Sequence, residues 1–361
     1  MAPTIPTSFK GMSKVMIADL QILGSAFFFG IGFLGQRAVM INGLGPMTCN
    51  AFRFGLSTIL LAVSLPLIPD DFSMNHNDVH AHGSISRSHS YDKEAQLSGD
   101  ESKDPSPEKL INKTPESNPY ISNIIGPYGS RLAAAKKTVW FWGIFLGFIN
   151  FMGSGFQQWG ISMTSASKCA FIAGFDLFLT PVMSFCMPPT KHNAKPKANT
   201  WVAVGISLIG LFLLSGSSVN EFEIGMGEIL SLISTVFWTL HITFTDVATS
   251  YVDTISMMCI QFGVVTLLSS LTAFAVEPQQ WLWDHLFIFM PWLLFLAVSE
   301  GLGFTLMAIG QNYSPPTHAA IILSLEGVFA AIASYVFLGE VLSRNESMGC
   351  LLMLVSAVFA I

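Results

Sequence analysis

The chain has 361 residues, of which 51% are hydrophobic and only 11% are charged. Soluble domains carry about 25% charged residues, so this composition excludes an ordinary soluble protein and points to a membrane. The net charge of −6 carries little weight, because the charges gather in one polar insert and in short connections. None of the five cysteines has CxxC spacing and all lie in apolar stretches, which argues against a disulfide framework or a zinc site.

In chain order, a polar N-terminus with Lys10 and Lys14 leads into the first apolar span. That span is longer than a signal-peptide core and lacks a convincing cleavage site, so it is read as retained. Apolar windows predict about ten helices, near Val15–Gln36, Met47–Leu67, Thr138–Gly160, Lys168–Met187, Thr200–Gly216, Gly225–Thr245, Thr254–Val276, Leu286–Gly310, Ala319–Gly339 and Met348–Ile361. The tenth span ends with the chain and is short for a crossing, which points to a truncated chain or a shallow helix. The insert 70–137 is rich in Ser, Asn, Asp, Lys and Pro and is expected to be a disordered loop. Its HNDVHAH run holds His76, His80 and His82, read as solvated polar residues rather than as a zinc site. None of the sequons at Asn112, Asn312 and Asn345 is expected to be glycosylated.

Two of the spans carry a carboxylate near their middle, where one is costly and rarely kept without a role. Sliding Thr164–Phe185 onto Ser314–Tyr335, an offset of 150, lays Asp176 on Glu326, Lys168 on His318 and Ser184 on Ser334 without a gap. The third and eighth spans align at the same offset, with Trp142 on Trp292, Gly153 on Gly303, Gly160 on Gly310 and Asn150 on Glu300. The first and sixth align at 209, with Asp19 on Glu228 and Phe28 on Phe237. The difference between the offsets, 59, is close to the length of the polar insert. The expected fold is therefore an all-α integral membrane protein of about ten transmembrane helices in two five-helix repeats. One repeat covers 15–216, interrupted by the loop 70–137, and the other covers 225–361. Five is odd, so the halves insert with opposite orientation. Basic residues before the first and third spans and between the fourth and fifth place both termini in the cytoplasm; Trp281 and Trp283 are expected at the opposite interface.

The candidate substrate-binding residues are Glu326, Asp176, Arg53, His241, Glu300 and Trp238. Arg53 lies inside the second span, so its guanidinium faces protein, water or a ligand anion; it either contacts an anion or pairs with Asp176 or Glu326. The two acids either bind a cationic or hydroxyl-bearing substrate, carry a coupling proton, or bond a neighbouring helix backbone. Lys168 and His318 begin their helices and belong at an interface or vestibule. His241, Trp238 and Glu300 are cavity candidates, with Phe29 and Gln157 as further walls, although plain packing is the commoner role of a lone histidine and the better reading for each wall residue. Gly143 and Gly147 form a GxxxG pair for close helix approach. Pro181 is a candidate hinge.

These residues resemble the drug/metabolite transporter superfamily, in its EamA-type branch. The resemblance rests on TSASKCAFIAGF with Pro181, on THAAIILSLEGVFAAIASYVFLGE, on GMGEILSLISTVFWTLHI opening the second half, and on Arg53 in the second helix. It spans about 17–69 and 138–361. It departs at Gly327, where the family usually has proline after the mid-helix glutamate, and at the tenth helix, which lacks the usual tail. The resemblance implies ten helices in two inverted repeats and movement of a small polar metabolite, the small-molecule partner, through a cavity between the halves. An arginine with two acids suits a zwitterion. A homodimer is compatible with it. No cofactor motif, no basic cluster for nucleic acid, and no HExxH, GxSxG or aspartate pair of an enzyme is present, and Ser154 has no evident base beside it. The alternative is a membrane scaffold or receptor acting through the 70–137 loop.

Overall fold

The structure, a computed structural model, describes residues 14–64, 137–164, 166–186, 196–215, 225–277, 280–339 and 341–360. The polar insert with its histidines therefore lies outside the described residues, as do the side chains of Lys168, Trp281 and Trp283. Among the described residues every regular element is helical: α1 (Lys14–Ile41), α2 (Pro46–Ser64), α3 (Lys137–Met163), α4 (Ala166–Ala173), α5 (Asp176–Cys186), α6 (Ala198–Leu214), α7 (Met226–Thr249), α8 (Thr254–Val276), α9 (Gln280–Gly310), α10 (Pro316–Leu323), α11 (Glu326–Leu338) and α12 (Arg344–Ala360). Among the described residues seven stretches are long and apolar enough to cross a bilayer, including Pro316–Phe337, which runs through α10 and α11. The helices carry large apolar side chains outward, including Phe274 at 81%, Phe287 at 90% and Phe337 at 74% exposure. In water such surfaces would aggregate; in lipid they are the solvent-facing side of a membrane protein.

Local chemistry sets the ends. Asp253 caps α8 by accepting from the Ser256 amide at 2.8 Å. Pro316 opens α10, where a helix needs no amide donor, and Gly339 ends α11 in the left-handed conformation at φ 67°. Glu277 reaches from the end of α8 to the start of α2, accepting from the Met47 amide at 2.7 Å, the Thr48 amide at 2.9 Å and the Thr48 hydroxyl at 2.6 Å. This is a carboxylate at the positive end of a helix. Glu277→Ala should lower stability by about 1–2 kcal/mol, read as a fall in the melting temperature of the purified protein; an unchanged melting temperature would show the cap to be idle.

The fourth and ninth predicted spans are not single helices. Each tightens at its middle, between α4 and α5 and between α10 and α11, through matching three-residue hydrogen bonds. Phe175 donates to Ile172 as Leu325 donates to Ile322, and Leu177 donates to Gly174 as Gly327 donates to Ser324. The tightening in the first case falls at Gly174 and Phe175, upstream of Pro181, which lies inside α5. In the second it forms without a proline, at a site where Gly327 stands. A carboxylate, Asp176 or Glu326, is the first residue after each break.

Packing is reciprocal between the two halves of the chain. The contacts α1 on α9 and α3 on α7 correspond, as do α2 on α9 and α8 on α3, while α2 meets α8 and α6 meets α12. Glycines permit the closest crossings. Gly303 lies against the Phe29 ring and Gly310 against the Ala18 carbonyl, and in the same relation Gly153 lies against the Trp238 ring and Gly160 against the Gly227 carbonyl. The GxxxG pair works as expected, Gly143 against Ile260 and Gly147 against Val264 on α8. Polar contacts follow the same pattern. His318 Nδ1 sits 3.6 Å from Asp19 and 3.3 Å from the Ser314 hydroxyl, with Lys14 above the Tyr313 ring nearby. At the corresponding positions, Thr164 donates to Glu228. His318 thus joins the start of α10 to α1.

Candidate functional site

A cavity of about 790 Å³ lies among the helices, within the size range of small-molecule sites. It is lined by the middles of α1, α7 and α9 and by the breaks at Gly174 and Ser324. The ends of α1, α3 and α6 and the junction before α12 also line it, and the exposure of Gly43, Ser162 and Val341 among these residues puts its mouth there. All six candidate residues, Arg53, Asp176, Trp238, His241, Glu300 and Glu326, line this one cavity, and so do Phe29 and Gln157.

The partner of Arg53 is Glu300, which corrects the expected pairing with Asp176 or Glu326. One guanidinium nitrogen donates to Glu300 Oε1 at 2.7 Å, and the two side chains are only 2% and 7% exposed. Register explains the choice. One turn along α2, Ser57 donates to the Ala297 carbonyl of α9 at 2.7 Å and packs on Gly301, which brings Arg53 level with Glu300. Gln36 Nε2 donates to the same Glu300 oxygen at 3.0 Å, and Gln158 Nε2 donates in turn to Gln36 Oε1 at 2.8 Å. The guanidinium also lies over the Phe54 ring, 5.0 Å from its centre. A buried ion pair needs such extra hydrogen bonds to offset its desolvation.

Glu326 makes no hydrogen bond or ion pair among the described residues, and its backbone is held by the close approach of Gly30. Asp176 occupies the matching position after the other break. A helix start favours negative charge there. His241 is fully buried, and its Nε2 lies 2.8 Å from the Gln261 amide nitrogen, which donates, while its Nδ1 has no partner among the described residues. Phe304 organises the aromatic side. It stacks with Trp238 at 5.7 Å and meets Phe29 at 4.8 Å and His241 at 5.6 Å edge-on. Among the described residues no three His, Cys, Asp or Glu side chains are grouped to hold a metal. Ser154 receives a hydrogen bond from Asn50 at 3.2 Å.

Gln36, Gln158 and Phe304 escaped the sequence reading. A glutamine inside an apolar span was a usable signal for the first, because an amide there faces inward. Phe304 carried none, being one of 30 phenylalanines.

Comparison with known proteins decides the class. The EamA-like transporter family matches residues 225–361. The chain carries an EamA-type transporter domain. A relative from Archaeoglobus fulgidus, described as an uncharacterized transporter, is 25% identical over 216 residues, covering 60% of this chain and 67% of the relative. A solved crystal structure aligns with 95% of this chain and 96% of its own at a TM-score of 0.63 and 14% identity, which shows a shared fold. With its membrane-crossing helices and an EamA-like domain over 225–361, the chain is a multi-pass membrane protein similar to transporters, in line with the resemblance carried by the motifs around Glu326.

Proposed function

We propose that this EamA-type transporter moves a small polar metabolite through a central cavity between two inverted five-helix repeats, 15–216 and 225–361. The observation that carries the reading is the convergence of all six candidate side chains on one cavity, with Glu326, which has no partner among the described residues, in the set. The reciprocal helix contacts support the repeat. With both termini cytoplasmic, the cavity mouth lies on the opposite side of the membrane. The Asp19, Ser314 and His318 contacts then join α1 to α10 at the cytoplasmic end. Open at one end and joined at the other is what alternating access requires.

The test is a thermal-shift screen of the detergent-purified protein against a metabolite library, run on wild type and Glu326→Gln. A bound compound stabilises the folded state by about 2.7 kcal/mol at a hundredfold excess over Kd. A compound that stabilises wild type and not the variant, and whose flux into proteoliposomes falls at least about tenfold in the variant, is the expected result. Wild-type flux by a folded Glu326→Gln protein would remove Glu326 from the site.

A further inference from the structure

We infer that the cargo presents a positively charged nitrogen beside a flat ring, an inference that rests on the transport reading above. The charge follows from what the cavity has left to offer. Its basic side chains among the described residues are Arg53 and His241. Arg53 is bound to Glu300 at 2.7 Å and almost fully buried, so its positive charge is already matched. His241 shares its Nε2 with Gln261. The carboxyl groups outnumber them: Asp176 and Glu326 lie at the two helix breaks, Glu326 without a partner, and Glu346 stands toward the mouth. An anionic cargo would meet this excess with no free cation among the described residues. A zwitterion would satisfy one end only. An ammonium, amidinium or quaternary nitrogen has a ready partner in Glu326.

The ring follows from the aromatic lining. Trp238, Phe304 and Phe29 form a continuous aromatic surface, with Trp238 and Phe304 nearly parallel at 27°. Such a surface takes a flat ring by stacking and also attracts a cation. His241 belongs to this wall, and its unpartnered, fully buried Nδ1 is a hydrogen-bonding group available to a ring substituent. The small residues Gly327, Ala330 and Ala331 line the acidic side, which leaves room for a methylated nitrogen.

The experiment uses the full chain in liposomes with Ser334→Cys, a cavity position, in a background of Cys186→Ser and Cys350→Ser. Labelling rates are compared for trimethylammonium-ethyl methanethiosulfonate and its sulfonate counterpart, each normalised to a free thiol. The cationic reagent is expected to be faster by about tenfold or more, and Glu326→Gln or, should that variant not fold, Asp176→Asn should reduce the preference several-fold. Benzyltrimethylammonium should protect the cysteine at lower concentration than tetramethylammonium, and benzoate should not protect. Equal labelling rates, or protection by benzoate matching that by benzyltrimethylammonium, would overturn the charge. Equal protection by the two cations would overturn the ring. Failure of both reagents to label would instead sink the cavity reading beneath the inference.

Discussion

Arg53→Met should be among the most damaging single substitutions in this protein. It removes the cation matched to Glu300 and leaves that carboxylate buried with the Gln36 amide as its remaining partner among the described residues. Breaking a buried pair on one side costs about 3–5 kcal/mol, and the melting temperature of the purified protein should fall by about 10 °C or more. The double variant Arg53→Met with Glu300→Leu separates pairing from packing. Replacing both partners by apolar groups of similar volume leaves no uncompensated charge, so most of the lost stability should return. If the single variant melts with wild type, Glu300 does not depend on Arg53. If the double variant is no better than the single, the loss lies in the packing of the guanidinium on Phe54.

Gly30→Val should be the second large effect, by steric means. A side-chain carbon at Gly30 would stand 2.6 Å from the Glu326 carbonyl oxygen, 2.6 Å from Phe329 Cβ and 3.0 Å from the Ala330 amide. These neighbours are mainly backbone, so α11 has to move away from α1. Overpacking of this kind costs about 1–3 kcal/mol, with Gly30→Ala toward the lower end. The displaced element begins with Glu326, so the ligand-induced thermal shift of wild type should shrink along with the melting temperature. Gly205→Val is the control, because nothing lies within 4 Å of a carbon added there. Similar losses at both positions would show that helix propensity, rather than the α1–α11 crossing, sets the effect.

The helices were legible because a bilayer demands long apolar stretches, and nothing else in the sequence produces them. The offset of 150 did more, since it also relates hydrogen bonds at the two breaks and the glycine contacts at 153 and 303. The breaks themselves were missed. A three-residue tightening keeps the apolar pattern intact, and the proline that drew attention lies downstream of it. The candidate cavity residues stood out because polar groups inside apolar spans face inward. Aromatic wall residues did not, because a phenylalanine facing lipid and one facing a cavity satisfy the same pattern.

Composition and periodicity alone determined that this chain is an all-helical membrane protein, and its motifs that it carries an EamA-type domain. The sequence also determined that Arg53 needs a partner, because an unpaired guanidinium in hydrocarbon is too costly to keep. It pointed to Asp176 or Glu326 as that partner and passed over Glu300. Only the tertiary structure chose Glu300, through the register of α2 on α9 set by Ser57 and the Ala297 carbonyl. That choice matches the charge of Arg53 to Glu300 and leaves Glu326 at the cavity without a partner among the described residues. Pairing between distant helices depends on their relative translation by a few ångströms, which side-chain packing decides and no local pattern encodes.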